Sequence, residues 1–235
     1  MSKRHLFGAT ILGLLVAAAP ALAQGSYRRA SSDNELRFRI GSFEPDGNST
    51  YWEDSFFDFT GSTTSFEDVI VGIDYVHRVG PRWGILFSGS GYEATATQAY
   101  RDFEDAAGFD IRHDTTFELA TGSVGLILQL LGRDAAIQPY LGFGGGFYDW
   151  SLVESGDFID FGGDLVIFTD RFVTDGTAFG TYFLAGFAIP LGAEFSFFAE
   201  GRWDSADDAL SGDFEGLGDI DLGGRQLAAG LSWQF

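Results

Sequence analysis

Carboxylates dominate the side chains of this chain that could do chemistry. Its 235 residues carry 34 Asp and Glu against 14 Lys and Arg, a formal net charge of -20. The acids are grouped. Glu44, Asp46, Glu53, Asp54 and Asp58 share one polar stretch, and Asp102, Glu104, Asp105 and Asp110 share a second. Glu154, Asp157, Asp160, Asp164, Asp170 and Asp175 form a third, and Asp204, Asp207, Asp208, Asp213, Glu215, Asp219 and Asp221 a fourth. Clustered carboxylate oxygens suit hard divalent cations. Asp204, Asp207, Asp208, Asp219 and Asp221 are therefore weak candidates for Ca2+ or Mg2+, helped by one glycine/aspartate turn, GLGDIDLGG at 216–224. The simpler reading is a solvated acidic surface that repels anions. No other cofactor is implied. Nucleic acid is excluded as a partner, because phosphates require a basic footprint. Cysteine is absent, which removes disulfides, thiolate metal sites and cysteine nucleophiles.

A second set of charges stands inside apolar stretches. Arg37 and Arg39 alternate with Leu36, Phe38 and Ile40, while Glu200 and Arg202 alternate with Ala199 and Trp203; Asp74 interrupts a run of Val and Ile. Charges in such positions must be paired to be tolerated. An Arg–carboxylate network of Arg37, Arg39, Asp74, Glu200 and Arg202 is expected, serving as a gate or proton path, or more simply as packing. Histidine offers little: His77 lies near one end of its segment, and His113 stands beside Asp114 and Thr115 with no suitably spaced serine. A lone His next to Asp is common on surfaces, so no catalytic residue is assigned.

The elements that position these groups read as strands. Lys3, Arg4 and His5 precede the apolar run 6–19, Pro20, and the small-x-small Ala21-Leu22-Ala23. This is a signal peptide over residues 1–23, leaving a short tail at 24–34 and one domain at 35–235. No later apolar run is long enough to cross a membrane as a helix. Eight segments show period-2 alternation, at 35–43, 68–78, 83–98, 114–131, 136–150, 176–190, 193–203 and 224–235. Their connections alternate between short (79–82, 132–135, 191–192) and long (44–67, 99–113, 151–175, 204–223). An eight-stranded antiparallel up-and-down transmembrane β-barrel follows, with short turns on one side and acidic loops on the other. Trp83 and Trp233 fall at one end of the strands and Trp150 and Trp203 at the other, as two interfacial girdles would require. The fourth segment changes phase between Leu119 and Val124, which predicts a bulge. The 151–175 stretch could add a hairpin above the membrane or two further strands.

The closing residues Gly230-Leu-Ser-Trp233-Gln-Phe235 resemble the C-terminal signal of outer-membrane barrels, although Ala228 replaces a usual polar residue. PYLGFGGGF (139–147) and FFAEGRW (197–203) resemble strands of the OmpA/OmpX-like small barrel superfamily, barrel domain only. The resemblance implies an outer-membrane location, a setting of membrane lipid and lipopolysaccharide, and a monomer. It also implies recognition of Gly230, Trp233 and Phe235 by the barrel-assembly machinery. It leaves three roles open. One is structural or surface-interactive, through acidic loops that are also rich in phenylalanine. Another is passage of small hydrophobic molecules, for which inward Phe198 and the small Gly142, Gly144 and Gly146 leave room. The most remote is lipid A modification, which has no matching Ser/His arrangement here.

Overall fold

Residues 32–235 are described by a computed structural model; the signal peptide and the tail as far as residue 31 lie outside them. Alternating apolar and polar residues with β-branched and aromatic enrichment build the wall strands. These are β1 (Asn34–Pro45), β2 (Asp68–Arg78), β3 (Trp83–Glu104), β4 (Asp110–Gln129), β5 (Gln138–Ile159), β6 (Ile167–Pro190) and β7 (Phe195–Ser205). A short ribbon of β8 (Asp207–Ala209) and β9 (Asp219–Asp221) precedes the last wall strand, β10 (Gly224–Gln234). The wall closes in the order β1-β10-β7-β6-β5-β4-β3-β2, with every neighbour antiparallel. The expected eight-stranded up-and-down barrel is the observed fold.

A belt of outward apolar side chains surrounds the end with short turns. Phe38, Ile40, Val71, Phe87, Leu126, Phe143, Phe179, Phe183 and Leu231 are all exposed, and Leu227 reaches 70%. Large apolar groups facing outward on every wall strand make sense only against lipid. Trp83, Trp203 and Trp233 are exposed on this surface, as girdle residues should be. Trp150 is not: it is 2% exposed, points inward, and donates from its indole Nε1 to Asp208 Oδ2 at 2.9 Å. Its strand continues well past the lipid, so its position marks no interface.

The anticipated bulge in the fourth segment is absent. Pairing of β4 with β5 runs without interruption from His113↔Gly156 to Gln129↔Tyr140; the irregularity lies between Ala99 and Glu104 on β3. The change of phase has another cause. At the lipid level Val124 and Leu126 face out, while higher up Phe117 and Leu119 face in and are buried. One regular strand passes from a lipid-facing environment to one with an interior core, and its apolar face changes sides.

Strands β3 to β6 are 20 to 24 residues long, about twice the 9–11 needed to cross a bilayer. The 151–175 region adds no separate strands; β5 and β6 simply extend, pairing as far as Ile159↔Ile167. By contrast, β2 pairs with β3 only up to Tyr92, and β7 with β6 only up to Thr181. The wall above those points is open on one side. It is filled by the helix α1 (Thr50–Asp58), a 3-10 turn at Thr63–Phe66, the β8–β9 ribbon and a second 3-10 turn at Gly212–Phe214. Together they form a folded cap whose core includes fully buried Trp52, Phe66, Phe117, Leu152, Ile220 and Leu222.

Candidate functional site

Two regions hold the groups singled out by the sequence: the lumen below and the cap above. Period-2 geometry sends Arg37 and Arg39 of β1, Asp74 of β2, and Glu200 and Arg202 of β7 to the interior, where each is buried. Arg39 Nε lies 3.4 Å from Asp74 Oδ1, which also accepts from Ser88 Oγ at 2.5 Å. Arg202 Nε donates to Asp204 Oδ1 at 2.9 Å, and Tyr148 hydroxyl donates to the same oxygen at 2.7 Å. Gln226 bridges the two clusters, accepting from Arg39 Nη1 at 2.8 Å and donating to Asp204 Oδ2 at 2.7 Å. Glu200 accepts from Tyr140 hydroxyl at 2.8 Å. The Arg37 guanidinium sits 4.9 Å from the Tyr140 ring centre and 5.3 Å from that of Phe198; Arg202 lies 3.9 Å from that of Tyr182. Such stacking suits arginine, whose planar cation is only weakly hydrated.

Three members of this network were missed by sequence reading. Glu35 accepts from Arg37 Nε at 2.9 Å and from Arg78 Nη2 at 2.6 Å. Asp204 belongs to the lumen although it was grouped with the loop acids. The signal was present: 35-37-39, 74-76-78 and 200-202-204 each share one phase of a strand. With these additions four buried arginines face four buried carboxylates.

The lumen is filled. The space beside inward Gly142 is taken by Leu184, where a Cβ would come within 2.9 Å, and that beside Gly144 by the Tyr182 ring at 2.8 Å. Gly72 admits Arg39, whose Nε would lie 2.7 Å from an added Cβ. Gly230 lies under Phe198 in the same way, at 2.8 Å. Trp233 and Phe235 face outward, their rings stacked at 4.7 Å.

The acidic candidates for a cation are held by different partners. Asp204 is committed to the lumen and Asp208 to Trp150. Asp221 accepts from the backbone N–H groups of Gly223 at 2.8 Å and Asn48 at 3.2 Å. Asp204, Asp207, Asp219 and Asp221 all border one open concavity of about 510 Å³, together with Asp46 and Glu53. Among the described residues no three His, Cys, Asp or Glu side chains converge as metal ligands. Burial, and then the neighbouring Asp221, raise the pKa of Asp46.

The histidines separate likewise. His77 is exposed near the inner end of β2, its Nδ1 3.0 Å from Asn34 Oδ1. His113 lies in the cap, five residues along β4 from outward-facing Glu118 and clear of the lipid belt. It is buried with its ring 4.4 Å from Phe59 and 5.1 Å from Phe158, and neither nitrogen has a hydrogen-bond partner. Desolvation lowers its pKa to about 4, against a smaller opposing pull from Asp114. Asp114 itself faces outward and accepts from Thr97. In the same cap, burial raises the Glu154 carboxyl, which accepts from Tyr51 hydroxyl at 2.7 Å. Burial and Glu154 together raise the Tyr51 hydroxyl well above its ordinary value.

The closed ring, outward apolar belt and plugged lumen define a small eight-stranded outer-membrane β-barrel. The chain is similar in structure to the outer membrane protein OprG from Pseudomonas aeruginosa, with a TM-score of 0.55 and 14% identity, covering 88% of this chain and 97% of that one. Neisserial surface protein A gives a TM-score of 0.51 at 13% identity, covering 86% of this chain and 96% of that one. At such identities the likeness is one of fold. No protein-family model matches the sequence, and no curated protein matches it.

Proposed function

We propose that the barrel is a non-enzymatic surface protein in which the wall is an anchor and the cap is the working part. The observation that carries this reading is the cap itself. Four wall strands are prolonged, and two long connections fold back to give the extension its own core. Maintaining ordered structure outside the membrane costs conformational entropy that a bare pore would not need to offset. His113 supports the non-enzymatic part, since it is shielded by Phe59 and Phe158 and meets no hydroxyl nucleophile. The setting is lipid and lipopolysaccharide around a monomer, with the last strand read by the assembly machinery through Gly230, Trp233 and Phe235. No cofactor is needed, and the acids act as a solvated surface.

The test pairs two assays on one variant. The four outer connections are replaced by short turns, leaving the lipid-level strands intact. Cell-surface binding of host or bacterial components is expected to fall to background, while solute entry into proteoliposomes stays at the protein-free level for variant and parent. Entry of a small hydrophobic solute through the parent would favour passage instead.

A further inference from the structure

The two hairpins that end the cap carry an apolar surface far from any lipid. Phe103 on β3 and Phe161 just past β5 meet with ring centres 5.3 Å apart, joining the hairpins into one patch. Phe161 is 58% exposed, and the run Leu165-Val166-Ile167-Phe168 is exposed throughout. From Asp149, where the outward side chains turn polar, the chain climbs 12 residues to Phe161. At about 3.3 Å per residue and a tilt of about 40°, that is roughly 30 Å above the lipid-facing belt. Membrane burial therefore does not explain the patch. Contiguous exposed apolar surface on a soluble region marks an interaction site.

The backbone at this tip is also set apart. Leu165 has φ 56°, the only non-glycine at positive φ among the described residues. Such a conformation is disfavoured for a residue with a branched side chain, and it turns the leucine outward rather than into the cap.

The charge around the patch selects its occupant. Residues 101–112 and 157–171 include eight Asp and Glu against three Arg (Arg101, Arg112 and Arg171), of which Arg112 pairs with Asp110 at 2.6 Å, so the rim stays net acidic. Of the acids, Asp157, Asp160, Asp164 and Asp170 are exposed beside the apolar run. A second copy of this chain would bring the same acids against them, and an anionic membrane would be repelled. Apolar contact under an acidic rim complements a cation with an apolar face. We propose that the tip formed by Phe103, Phe161 and 165–168 docks a cationic amphipathic polypeptide segment, with its apolar face on the rings and its Lys or Arg on the flanking carboxylates. This deepens the surface-interaction reading above and rests on it.

The experiment uses the full mature chain in zwitterionic lipid nanodiscs and a fluorescent synthetic helical peptide of alternating Lys and Leu faces. Two tip variants are compared with the parent: F161S/L165N, in which Asn keeps the left-handed backbone, and D160N/D164N. A third, F57S, removes a still more exposed ring from α1. Gel mobility with and without boiling checks that each barrel is closed. Each tip variant is expected to weaken binding roughly tenfold or more, about 1.4 kcal/mol, while F57S binds like the parent and a Lys→Gln peptide does not bind.

Several results would overturn the tip proposal. Equal binding by the parent and F161S/L165N, with loss only in D160N/D164N, would indicate diffuse attraction to acidic loops. Self-association of the parent, or adsorption to anionic vesicles without peptide binding, would name a different occupant. If tip variants bind normally but replacement of all four outer connections abolishes binding, the tip fails and the surface reading stands. If that replacement also changes nothing, both fail.

Discussion

The interior is held by residues that depend on one another. Asp74 is buried against Arg39 and Ser88, so Asp74→Ala leaves a buried guanidinium without its counter-charge. Removing one partner of such a pair costs about 3–5 kcal/mol. Urea unfolding of the protein in lipid vesicles, followed by tryptophan fluorescence, should show a loss of that size, and an unchanged midpoint would make the network dispensable. His113 carries a pH dependence of opposite character. Its folded pKa of about 4 lies below the ordinary 6.5, so burial favours the neutral ring. Its contribution is complete above pH 6.5 and declines as pH falls toward 4, because the unfolded state takes up the proton first. Amide protection near Thr60, Ala99 and Gly156, taken relative to the intrinsic exchange rate at each pH, should fall over that window in the parent. In His113→Phe, which has no group to titrate there, the fall should disappear.

The elements were legible to the extent that one environment governed a whole strand. β2 spans 68–78 as the alternation predicts, and β7 and β10 differ by only two residues at any end. β3, β5 and β6 extend well beyond the sequence boundaries, since polar exposed residues such as Arg101, Asp157 and Asp175 read as loop when the cap behind them is unseen. The same blindness produced the expected bulge in β4 and the misplaced Trp150. Period-2 reasoning assumes that one face stays apolar; here the apolar face crosses the wall where lipid ends and the cap core begins. α1 escaped notice because its buried Tyr51 and Trp52 sit among acids and phenylalanines in an apparently polar connection. Trp52 stacks on Phe56 and contacts Phe66 and Phe117. Trp52→Ala should destabilise the cap by about 3–5 kcal/mol, speeding exchange across α1 and the upper β3–β4 hairpin. Heat-modified gel mobility should not change, as the lipid-level wall retains all its pairing.

At the scale of the molecule, charge and hydrophobicity are sorted along the barrel axis. Paired charges fill the lumen, lipid-facing aromatics surround it, and above both lies a cap with its own core and an acidic exterior. The candidate site was half legible: inward charges followed from strand phase, and the partners Glu35 and Arg78 stood on the same phases at the ends of their segments, whereas Asp204 required knowing that β7 runs on to Ser205. The apolar tip was legible only as phenylalanine-rich loops, because ring contacts between hairpins distant in sequence cannot be read from spacing. What unites these features is the claim that structure continues well beyond the membrane. Residue-resolved hydrogen exchange of the mature protein in lipid nanodiscs tests it most directly. Strong protection is predicted for the paired amides of 112–117, 150–156 and 172–180 and for α1, comparable to that of the lipid-level strands. Rapid exchange throughout those stretches, with protection ending at the lipid belt, would contradict the folded cap and the function built on it.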